Sequence, residues 1–477
     1  MSEQRTYPFR KGEDLILRPE TAAFNGKCVA RVEGMAVFVS GCVPGDTVRA
    51  RITQRKKNYG EARTLEIIEG GPDRVEPVCT YFEDCGGCKW QNLSYEAQIG
   101  WKRRHVLDAF QRIGRFAEVE VRETLPSEKI YWYRNKMEFS FGAERWLTAE
   151  EIASEGDIDR DFALGLHAPG RFNRVIDVER CWLQSEASNR IINTTRRFAL
   201  HRGLPPYTTS DHTGILRNLV VRTSEATGEV MVILITAGLS EAELGEYSAL
   251  IRTEIPEVTT LIHGLHTGKA SVAMAERIDV LYGPGTITEE IGGNRFTISP
   301  FSFFQTNTAQ GNRLYEASIE AAGLQGESVV WDLYCGAGTI TLAAARRSGR
   351  VVGVEINEGA VVDARRNAAA NGIENVEFFA GDLKDLIGRL GRGIGADGDP
   401  DVVIVDPPRA GMHEDVVEAL IERRPQRIAY VSCNPTTQAR DCELLSRAWD
   451  VEYVQPVDMF PQTYHIETVA LLTLRSE

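Results

Sequence analysis

One cysteine lies where chemistry, rather than packing, is expected. Residues 429–438 read AYVSCNPTTQ, so Cys433 follows an apolar run that predicts a buried strand, and it precedes an Asn-Pro pair. A cysteine that only fills core volume is expected inside the strand. A thiol placed just beyond a strand indicates either a nucleophile or a metal ligand.

Four other predicted strand ends carry residues suited to ligand binding. In chain order they are the loop of Gly336 and Gly338 in DLYCGAGTI, then Glu355, Asp382 and Asp406. Glycine lets a backbone approach a ligand closely, and a carboxylate such as Glu355 accepts hydrogen bonds from ribose hydroxyls. Because ligands of a parallel sheet lie beyond the carboxyl ends of its strands, these residues predict one binding crevice.

The composition of these loops favours one cofactor over another. A dinucleotide fingerprint requires G-x-G-x-x-G/A, whereas this loop has Thr341 at the third small position and no basic group for a phosphate. S-adenosylmethionine has no phosphate, and its positive sulfonium suits carboxylates. We therefore predict S-adenosylmethionine, not NAD, as the cofactor.

Cys433 and a late glutamate fit the methylation of a pyrimidine carbon. Carbon 5 of uracil is not nucleophilic until a nucleophile adds to carbon 6. A thiolate is a good nucleophile and a poor base, so a second residue has to remove the carbon 5 proton. The stretch YHIETVALL places Glu467 immediately before a late strand. The pair predicts Cys433 as the nucleophile and Glu467 as the base.

A second group of cysteines predicts a metal. The stretch CTYFEDCGGC places Cys79, Cys85 and Cys88 in a C-x5-C-x2-C pattern. Clustered cysteines in a chain without secretory features favour ligands over disulfides. The spacing differs from the C-x3-C-x2-C pattern of radical-initiating clusters, and zinc sites normally show paired C-x2-C elements. Spacing alone leaves zinc and an iron–sulfur cluster as alternatives.

The elements that position these residues divide the chain of 477 residues into three predicted parts. Residues 1–70 alternate apolar and polar residues between turn signals, which predicts a small closed, OB-like β-barrel. Residues 71–295 mix strands and helices in an α+β domain, with a helix near 93–115 that we expect to pack on the catalytic domain. From 296 to 477, strands alternate with helices, which predicts a doubly wound, Rossmann-like α/β sheet.

Composition bears on partners and location. No apolar stretch of about 18 residues exists, and the first residues carry no apolar signal-peptide core, so we expect a cytoplasmic protein without membrane contact. The net charge of -14 disfavours a nucleic-acid partner. Residues 49–63, however, hold six basic residues and one acid. That run is either an RNA-binding patch or a solvated strand edge.

Several motifs resemble the RNA uridine-5-methyltransferase family. They are SPFSFFQTN, DLYCGAGTITL, VDPPRAG, YVSCNP and HIETVALL, and they occur in family order within residues 296–477. The resemblance implies Cys433 as nucleophile and Glu467 as proton-abstracting base. It implies contacts with the methyl donor from six residues besides the two loop glycines: Gln305, Tyr334, Thr339, Glu355, Asp382 and Asp406.

The other two parts of the chain carry resemblances of their own. The run VARVEGMAVFV and the turn VPGDTV are similar to a TRAM domain, an RNA-binding barrel. The cysteine pattern resembles the [4Fe-4S] site of the same methyltransferase family, which makes the middle of the chain an iron–sulfur domain. Its fourth ligand then carries over to Cys181 in ERCWL. Because methyl transfer from a sulfonium needs no electrons, we expect the cluster to be structural or to shape the RNA-binding surface.

The resemblance implies an RNA partner, and we expect a monomeric enzyme. We expect 23S rRNA as the target, with tRNA as the alternative. Five residues are candidates for RNA contact: Phe301, Phe303, Phe304, Arg134 and Lys136. Lys102, on the helix near 93–115, is either a further RNA contact or part of a solvated face. Two further classes are a non-catalytic RNA-binding iron–sulfur protein, disfavoured by the intact Cys433 and Glu467 pair, and a redox enzyme, disfavoured by the lack of a flavin or nicotinamide fingerprint.

Overall fold

The structure is a computed structural model. It describes residues 7–154, 158, 160–270, 272–390 and 399–476. The chain divides into two compact units, each of which combines two segments. Unit 1 is Met1–His105 with Phe460–His465, and unit 2 is Val106–Met459 with Ile466–Glu477. Within the described ranges, no helix is long and apolar enough to cross a membrane.

A six-stranded sheet forms the N-terminal part of unit 1. Its strands are β1 (Asp14–Leu17), β2 (Thr21–Ala22), β3 (Cys28–Val32), β4 (Met35–Ser40), β5 (Thr47–Arg55) and β6 (Tyr59–Glu69), in the order β1-β5-β6-β4-β3-β2. Alternate side chains, among them Val37 and Val48, point into a shared core. The predicted small β-domain is confirmed, but among the described strands no ladder joins β1 to β2, so the barrel is partly open.

The helix expected near residues 93–115 is α1 (Tyr95–Arg112). On this helix the sequence left Lys102 as either an RNA contact or part of a solvated face. Lys102 is instead fully buried, and its Nζ donates a hydrogen bond to the carbonyl of Phe460 at 3.1 Å. A buried ammonium needs such partners, so Lys102 serves the interior of unit 1.

An eight-stranded sheet occupies the first part of unit 2. Its strands are β7 (Lys136–Gly142), β8 (Arg145–Trp146), β9 (Ala163–Ala168), β10 (Arg171–Asp177), β11 (Leu216–Thr223), β12 (Val230–Thr236), β13 (Val258–Leu265) and β14 (Arg277–Tyr282), in the order β14-β13-β12-β11-β7-β9-β10-β8. The accompanying helices are α2 (Ala149–Ala153), α3 (Glu186–Arg202) and α4 (Glu241–Glu254). A hairpin of β15 (Ile287–Ile291) and β16 (Asn294–Ile298) follows.

A seven-stranded sheet forms the rest of unit 2. Its strands are β17 (Val329–Leu333), β18 (Arg350–Glu355), β19 (Val376–Ala380), β20 (Val402–Val405), β21 (Arg427–Ser432), β22 (Trp449–Val457) and β23 (Glu467–Leu474), in the order β19-β18-β17-β20-β21-β23-β22. The helices are α5 (Thr308–Ala322), α6 (Thr339–Ala345), α7 (Glu358–Ala370), α8 (Leu383–Leu386), α9 (Glu414–Arg423) and α10 (Pro435–Leu445). β17 to β21 are parallel, and β23 is antiparallel to both of its neighbours.

The predicted α/β alternation of the C-terminal part is therefore confirmed. Parallel strands covered on both faces read as continuous apolar runs, and Val402–Val405 is buried throughout. The strand order reverses direction between β17 and β20. In open α/β sheets, ligands bind in the crevice beyond the carboxyl ends of the strands at such a reversal.

Candidate active site

The register of two antiparallel strands places Cys433 beside Glu467. β21 ends at Ser432, β23 begins at Glu467, and the ladder pairs Ser432 with Thr468. Cys433 is the first residue beyond β21, Glu467 is the first residue of β23, and the charge of Glu467 acts on the Cys433 thiol. The two candidate catalytic groups are thus held together by sheet geometry.

Hydrogen bonds around the ends of β21 and β23 fix this junction. Thr468 Oγ1 donates to the carbonyl of Ser432 at 3.0 Å and lies 2.7 Å from Gln438 Oε1. Gln438 Nε2, from α10, donates to the carbonyl of Tyr430 at 2.8 Å. All of these polar atoms are buried, so any displacement would leave them unsatisfied. The position of Cys433 therefore does not depend on a mobile loop.

The loop after β20 is tied to the loop that carries Cys433. Asn434 caps α10 by accepting a hydrogen bond from the Thr436 amide at 3.1 Å. Its Nδ2 donates to the carbonyl of Arg409 at 3.1 Å, and Thr437 Oγ1 donates to the same carbonyl at 3.2 Å. Arg409 is thereby held next to the thiol of Cys433.

Burial and like charges keep protons on the groups of this site. Burial raises the pKa of the Cys433 thiol to about 11; the charges of Glu467 and Asp406 add to this effect, and Arg409 opposes it. Burial, and then the charge of Asp406, raise the pKa of Glu467 well above its usual value. Burial also raises the pKa of Asp406 to about 7. Such a site favours a bound cation, because a positive charge would stabilise each of these ionised groups.

The glycine loop bends sharply after β17. The amides of Tyr334 and Cys335 donate to the carbonyl of Val354 at 2.9 and 3.0 Å. Tyr334, Gly336 and Gly338 all have left-handed backbone angles, with φ of 68°, 55° and 83°. A Cβ on Gly338 would lie only 3.2 Å from carbon atoms of both Ala364 and Phe378. Only glycine fits there without strain, whereas a Cβ on Gly336 would meet nothing within 4 Å, so the open space beside this loop lies at Gly336.

Glu355 at the end of β18 holds the same loop. Its Oε2 accepts a hydrogen bond from the Gly336 amide at 3.1 Å, and its Oε1 accepts one from the Asn357 amide at 2.9 Å. Each carboxylate oxygen has a second lone pair, so both still accept further donors. The placement fits the predicted contact with ribose hydroxyls.

Asp382 and Tyr334 lie at the rim of the crevice. Asp382 caps α8, accepting from the Lys384 amide at 3.1 Å, and its other oxygen lies 3.2 Å from Lys384 Nζ. These contacts with Lys384, the backbone hydrogen bond above all, lower the pKa of Asp382. Burial raises the pKa of Tyr334 to about 12, against a hydrogen bond with the backbone of His413. Asp382 is therefore already engaged by a neighbour in this structure.

A buried tyrosine joins two of the predicted donor contacts. Tyr315 on α5 shares a hydrogen bond of 2.9 Å with Thr339 Oγ1. Burial raises the pKa of Tyr315, and hydrogen bonds with Thr339 and Gln305 work in the opposite direction. The carbonyl of Gln305 also accepts from Asn135 Nδ2 at 2.8 Å. Nothing in the sequence separates Tyr315 from other core aromatics, so its place here was not foreseen.

Asp332 is a second residue that the sequence reading missed. It lies fully buried in β17, where it accepts a hydrogen bond from Thr341 Oγ1 at 2.5 Å. Burial, with added repulsion from Asp406 and Glu355, raises the pKa of Asp332 to about 7. The available signal was an acid inside an otherwise apolar strand, because an unpaired buried carboxylate is costly and needs a reason. Asp332, Asp406 and Glu355 together make this end of the sheet acidic.

The predicted metal ligands fall in both units. In unit 1, Cys79, Cys85 and Cys88 lie on one loop between β6 and α1, and the Gly87 amide donates to Cys85 Sγ at 3.4 Å. In unit 2, the amide of Cys181 donates to Asn189 Oδ1 at 2.9 Å. Across the ranges that the structure describes, no group of three or more His, Cys, Asp or Glu residues is arranged to hold a metal ion. The cluster therefore remains a prediction.

The candidate RNA contacts differ in exposure. Phe303 is 74% exposed, Phe301 is half-buried, and Phe304 is buried against Phe296. Lys136 is paired with Glu138, with 2.6 Å between Nζ and Oε1. Phe303 is accordingly the aromatic side chain of its loop that can meet a partner.

The basic run of residues 49–63 is partly neutralised. Arg51 Nε lies 2.6 Å from Asp14 Oδ1, and Arg49 Nη2 lies 3.0 Å from Glu66 Oε2. Lys56 and Lys57, at the turn between β5 and β6, are exposed. Only part of this run is thus available to phosphates.

Comparisons with known proteins agree with this site. The family described as tRNA (Uracil-5-)-methyltransferase matches residues 291–475, and the TRAM domain matches residues 15–65. The chain is 44% identical over 473 residues to a protein of Chlorobaculum tepidum described as an uncharacterized RNA methyltransferase, covering 98% of each. A second such protein, from Bacteroides thetaiotaomicron, is 42% identical over 95% of this chain and 100% of its own length.

A solved structure is similar over nearly the whole chain. It is the crystal structure of Pyrococcus abyssi tRNA (uracil-54, C5)-methyltransferase in complex with S-adenosyl-L-homocysteine. The TM-score is 0.73 at 29% sequence identity, and the match covers 96% of this chain and 99% of that one.

Fold, site and similarities define an RNA methyltransferase that depends on S-adenosylmethionine. Within that class, the chain belongs to the tRNA (uracil-5-)-methyltransferase family and carries a TRAM domain. The predictions of an RNA (uracil-5-)-methyltransferase and of S-adenosylmethionine as cofactor are confirmed at this level.

Proposed function

We propose that this enzyme methylates carbon 5 of a uridine in RNA through a covalent bond between Cys433 and carbon 6 of the uracil ring. The observation that supports the proposal is the pairing of Ser432 with Thr468, because Cys433 follows Ser432, Glu467 precedes Thr468, and the charge of Glu467 acts on the thiol. A nucleophile and a base at this spacing match the two steps that carbon 5 methylation requires.

The residues of the chain divide these steps between them. The Cys433 thiolate adds to carbon 6, which makes carbon 5 nucleophilic. S-adenosylmethionine, when bound, supplies the methyl group. Glu467 then takes the proton from carbon 5, and the bond between Cys433 and carbon 6 breaks to restore the aromatic ring. Arg409 faces both groups and favours their ionised forms.

The residues that line the crevice fit a sulfonium nucleoside. Gly336 leaves room for a ligand against the backbone, Gly338 lets the loop bend at a left-handed angle, and Glu355 has lone pairs for ribose hydroxyls. Asp406 and Asp332 supply the negative charge that a sulfonium would offset. We propose donor contacts from this set of residues: Gln305, Tyr334, Gly336, Gly338, Thr339, Glu355, Asp382 and Asp406.

A single substitution tests the nucleophile. Cys433→Ala should abolish methylation and leave S-adenosylhomocysteine binding unchanged in calorimetry. The reason is that the thiol is needed to add to carbon 6 of uracil and is not needed to bind the methyl donor. Cys442→Ala is the matched control, since Cys442 is a buried cysteine of α10 with no part in the scheme. Retained turnover by Cys433→Ala would remove the covalent mechanism.

The RNA target has two candidates. We propose 23S rRNA first, because the combination of a predicted cysteine cluster and a TRAM barrel resembles the rRNA-methylating members of the family. tRNA is the second, favoured by the Pyrococcus abyssi protein, whose stated substrate is uracil 54 of tRNA. Unmodified 23S rRNA and tRNA transcripts, each incubated with the enzyme and labelled S-adenosylmethionine, decide between them. Mass spectrometry of nuclease digests then locates the 5-methyluridine.

We also propose that Cys79, Cys85, Cys88 and Cys181 bind a [4Fe-4S] cluster. The support is the resemblance of the C-x5-C-x2-C pattern and of ERCWL to the [4Fe-4S] site of the family, together with the position of the first three cysteines on one loop. Protein purified without oxygen should contain iron and sulfide, and Cys85→Ser should lose both, whereas Cys442→Ala should keep them. Zinc as the bound metal would contradict the cluster.

Three further expectations stay predictions. They are the division into residues 1–70, 71–295 and 296–477, a monomeric state, and a cytoplasmic location. Light scattering after size exclusion tests the second, since a monomer of 53.0 kDa is expected.

A further inference from the structure

Two tryptophans and an arginine form an exposed cluster in unit 2, which we call the tryptophan platform: Trp132, Trp182 and Arg180. The ring centroids of Trp132 and Trp182 lie 5.1 Å apart. The Arg180 guanidinium lies 4.5 Å from the centroid of Trp182 and 5.5 Å from that of Trp132. Trp132 is 37% exposed, which is unusual for so large an apolar side chain in a packed protein.

The backbone of Trp132 is held in a conformation that its side chain disfavours. Its φ is 58°, in the left-handed region, where bulky residues rarely occur. The Trp132 amide donates to the carbonyl of Trp182 at 2.8 Å, which binds the two residues together. Strain of this kind persists only where the surrounding structure fixes it, and it clusters at sites of ligand contact.

The same short segment connects the platform to the catalytic crevice. Asn135, three residues after Trp132, donates its amide to the carbonyl of Thr306 and its Nδ2 to the carbonyl of Gln305, each at 2.8 Å. Three residues span at most about 11 Å, so the platform lies within a few nucleotides of the crevice. The exposed Phe303 belongs to the loop that Asn135 holds.

A second contact fixes that loop from the same sheet. Arg222 of β11 is almost fully buried, and its Nη2 donates to the carbonyl of Ser302 at 2.5 Å. The platform and the loop that carries Gln305 are therefore attached to one rigid sheet. An RNA held by the platform would keep a defined position relative to the crevice.

We propose that the tryptophan platform stacks an unpaired nucleobase of the RNA, close to the uridine that enters the crevice. The inference rests on the proposed function, because a uridine can be methylated only after it leaves its helix, which also unstacks its neighbours. An aromatic face bordered by a guanidinium binds any base by stacking. Arg180 also pairs with Glu186, at 3.3 Å between Nη2 and Oε2, which keeps its planar group over Trp182.

Direct binding of RNA to four forms of the full-length enzyme tests the platform. The probe is a fluorescently labelled, unmodified RNA transcript, and the readout is anisotropy. Trp132→Ala should weaken binding about 5- to 150-fold, the range for loss of one stacked base. Trp132→Phe keeps an aromatic face and should stay within about threefold of the wild-type enzyme. Leu200→Ala is the matched control: Leu200 is an exposed apolar residue of α3, 53% exposed, and its loss should change nothing.

Kinetics separate stacking from a structural role. Trp132→Ala should raise the KM for RNA by a similar factor and leave the KM for S-adenosylmethionine and the melting temperature unchanged. A parallel loss of donor binding, or of iron from the purified protein, would overturn the platform as an RNA site. If Trp132→Ala does not fold, Arg180→Gln takes its place, and unchanged RNA binding by Arg180→Gln then overturns it.

The platform and the proposed function fail in different ways. Wild-type turnover combined with unchanged RNA binding by Trp132→Ala rejects the platform and leaves the methylation intact. Absence of 5-methyluridine in every RNA given to the wild-type enzyme rejects the methylation. The binding measurement needs no turnover, so it still decides whether the platform contacts RNA.

Discussion

Replacing Glu467 by glutamine should separate the two halves of the proposed reaction. Glutamine keeps the size of the side chain and cannot take the carbon 5 proton. A positioned general base contributes about 10²–10⁴-fold to a rate, so turnover should fall by that factor. The addition of Cys433 should not slow, because the charge of Glu467 is one cause of the raised pKa of the thiol, and glutamine removes it. The methylated covalent adduct with RNA should therefore accumulate.

Stability provides an independent check on the same variant. The folded protein raises the pKa of Glu467 above its unfolded value, so it binds a proton that the unfolded chain releases. That contribution to stability is present at acid pH and is lost as the pH rises through the folded pKa. Glutamine stays neutral throughout. Glu467→Gln should thus melt at the same or a higher temperature than the wild-type enzyme at pH 8, and the difference should shrink on acidification.

The assay is a denaturing gel of labelled RNA incubated with enzyme and S-adenosylmethionine. Glu467→Gln should give a slow protein–RNA band that is absent when Cys433→Ala is added to it. Glu452→Gln is the matched control, an exposed carboxylate of β22, and it should turn over normally. Turnover by Glu467→Gln within about tenfold of the wild type, without the slow band, would refute Glu467 as the base.

Three other expectations concern the thiol and the glycines. With a pKa of about 11, Cys433 in the free enzyme should react with iodoacetamide about tenfold faster per pH unit from about pH 7 to 9. Bound S-adenosylmethionine should shift this pH profile to lower pH. Peptide mass spectrometry measures the extent of reaction, and a plateau below about pH 8 would contradict the raised pKa. Gly338→Val places a branched side chain at φ 83° against Ala364 and Phe378, so calorimetry should find S-adenosylhomocysteine bound at least about tenfold more weakly. Gly353→Ala brings a Cβ within 2.6 Å of Phe378 Cδ1 and should lower the free energy of unfolding by about 1–3 kcal/mol. Gly326→Ala is the control and should leave the free energy of unfolding unchanged, because no atom lies within 4 Å of the new Cβ. Equal melting curves for the two variants would show that β18 relaxes around the added methyl group.

The C-terminal sheet could be predicted from the sequence because its physics is local. Strands buried on both faces are apolar throughout, and each is followed by a helical segment. The strand Val402–Val405 can therefore be predicted from its own residues, without knowledge of distant contacts. The order of the strands in the sheet cannot be predicted in this way. That β23 lies between β21 and β22, antiparallel to both, depends on pairings between distant segments. The sequence therefore indicated Cys433 and Glu467 as partners in chemistry, while their adjacency required the register.

Residues that serve the site from the interior were the hardest to foresee. Asp332 and Tyr315 lie under the glycine loop, and only the fold shows which buried polar groups meet there. Lys102 looked like part of a solvated helix face because cations seldom lie inside proteins. The cysteines differ from these interior residues. The spacing of Cys79, Cys85 and Cys88 can be read directly from the sequence, but a fourth ligand from a remote segment can be assigned only by resemblance.

The pairing of Ser432 with Thr468 bears on how this enzyme can change during evolution. The connection from β22 to β23 contains Phe460–His465, which belong to unit 1, and the carbonyl of Phe460 accepts the hydrogen bond from the buried Lys102. The ladder alone sets where Glu467 stands relative to β21, so the same short stretch of chain serves both the core of unit 1 and the catalytic carboxyl. A slip of a single residue in β23 would turn the carboxyl to the opposite side of the sheet. Relatives should therefore keep the length of that connection as well as the residues that follow it, because a change in either would disturb unit 1 or the position of the carboxyl.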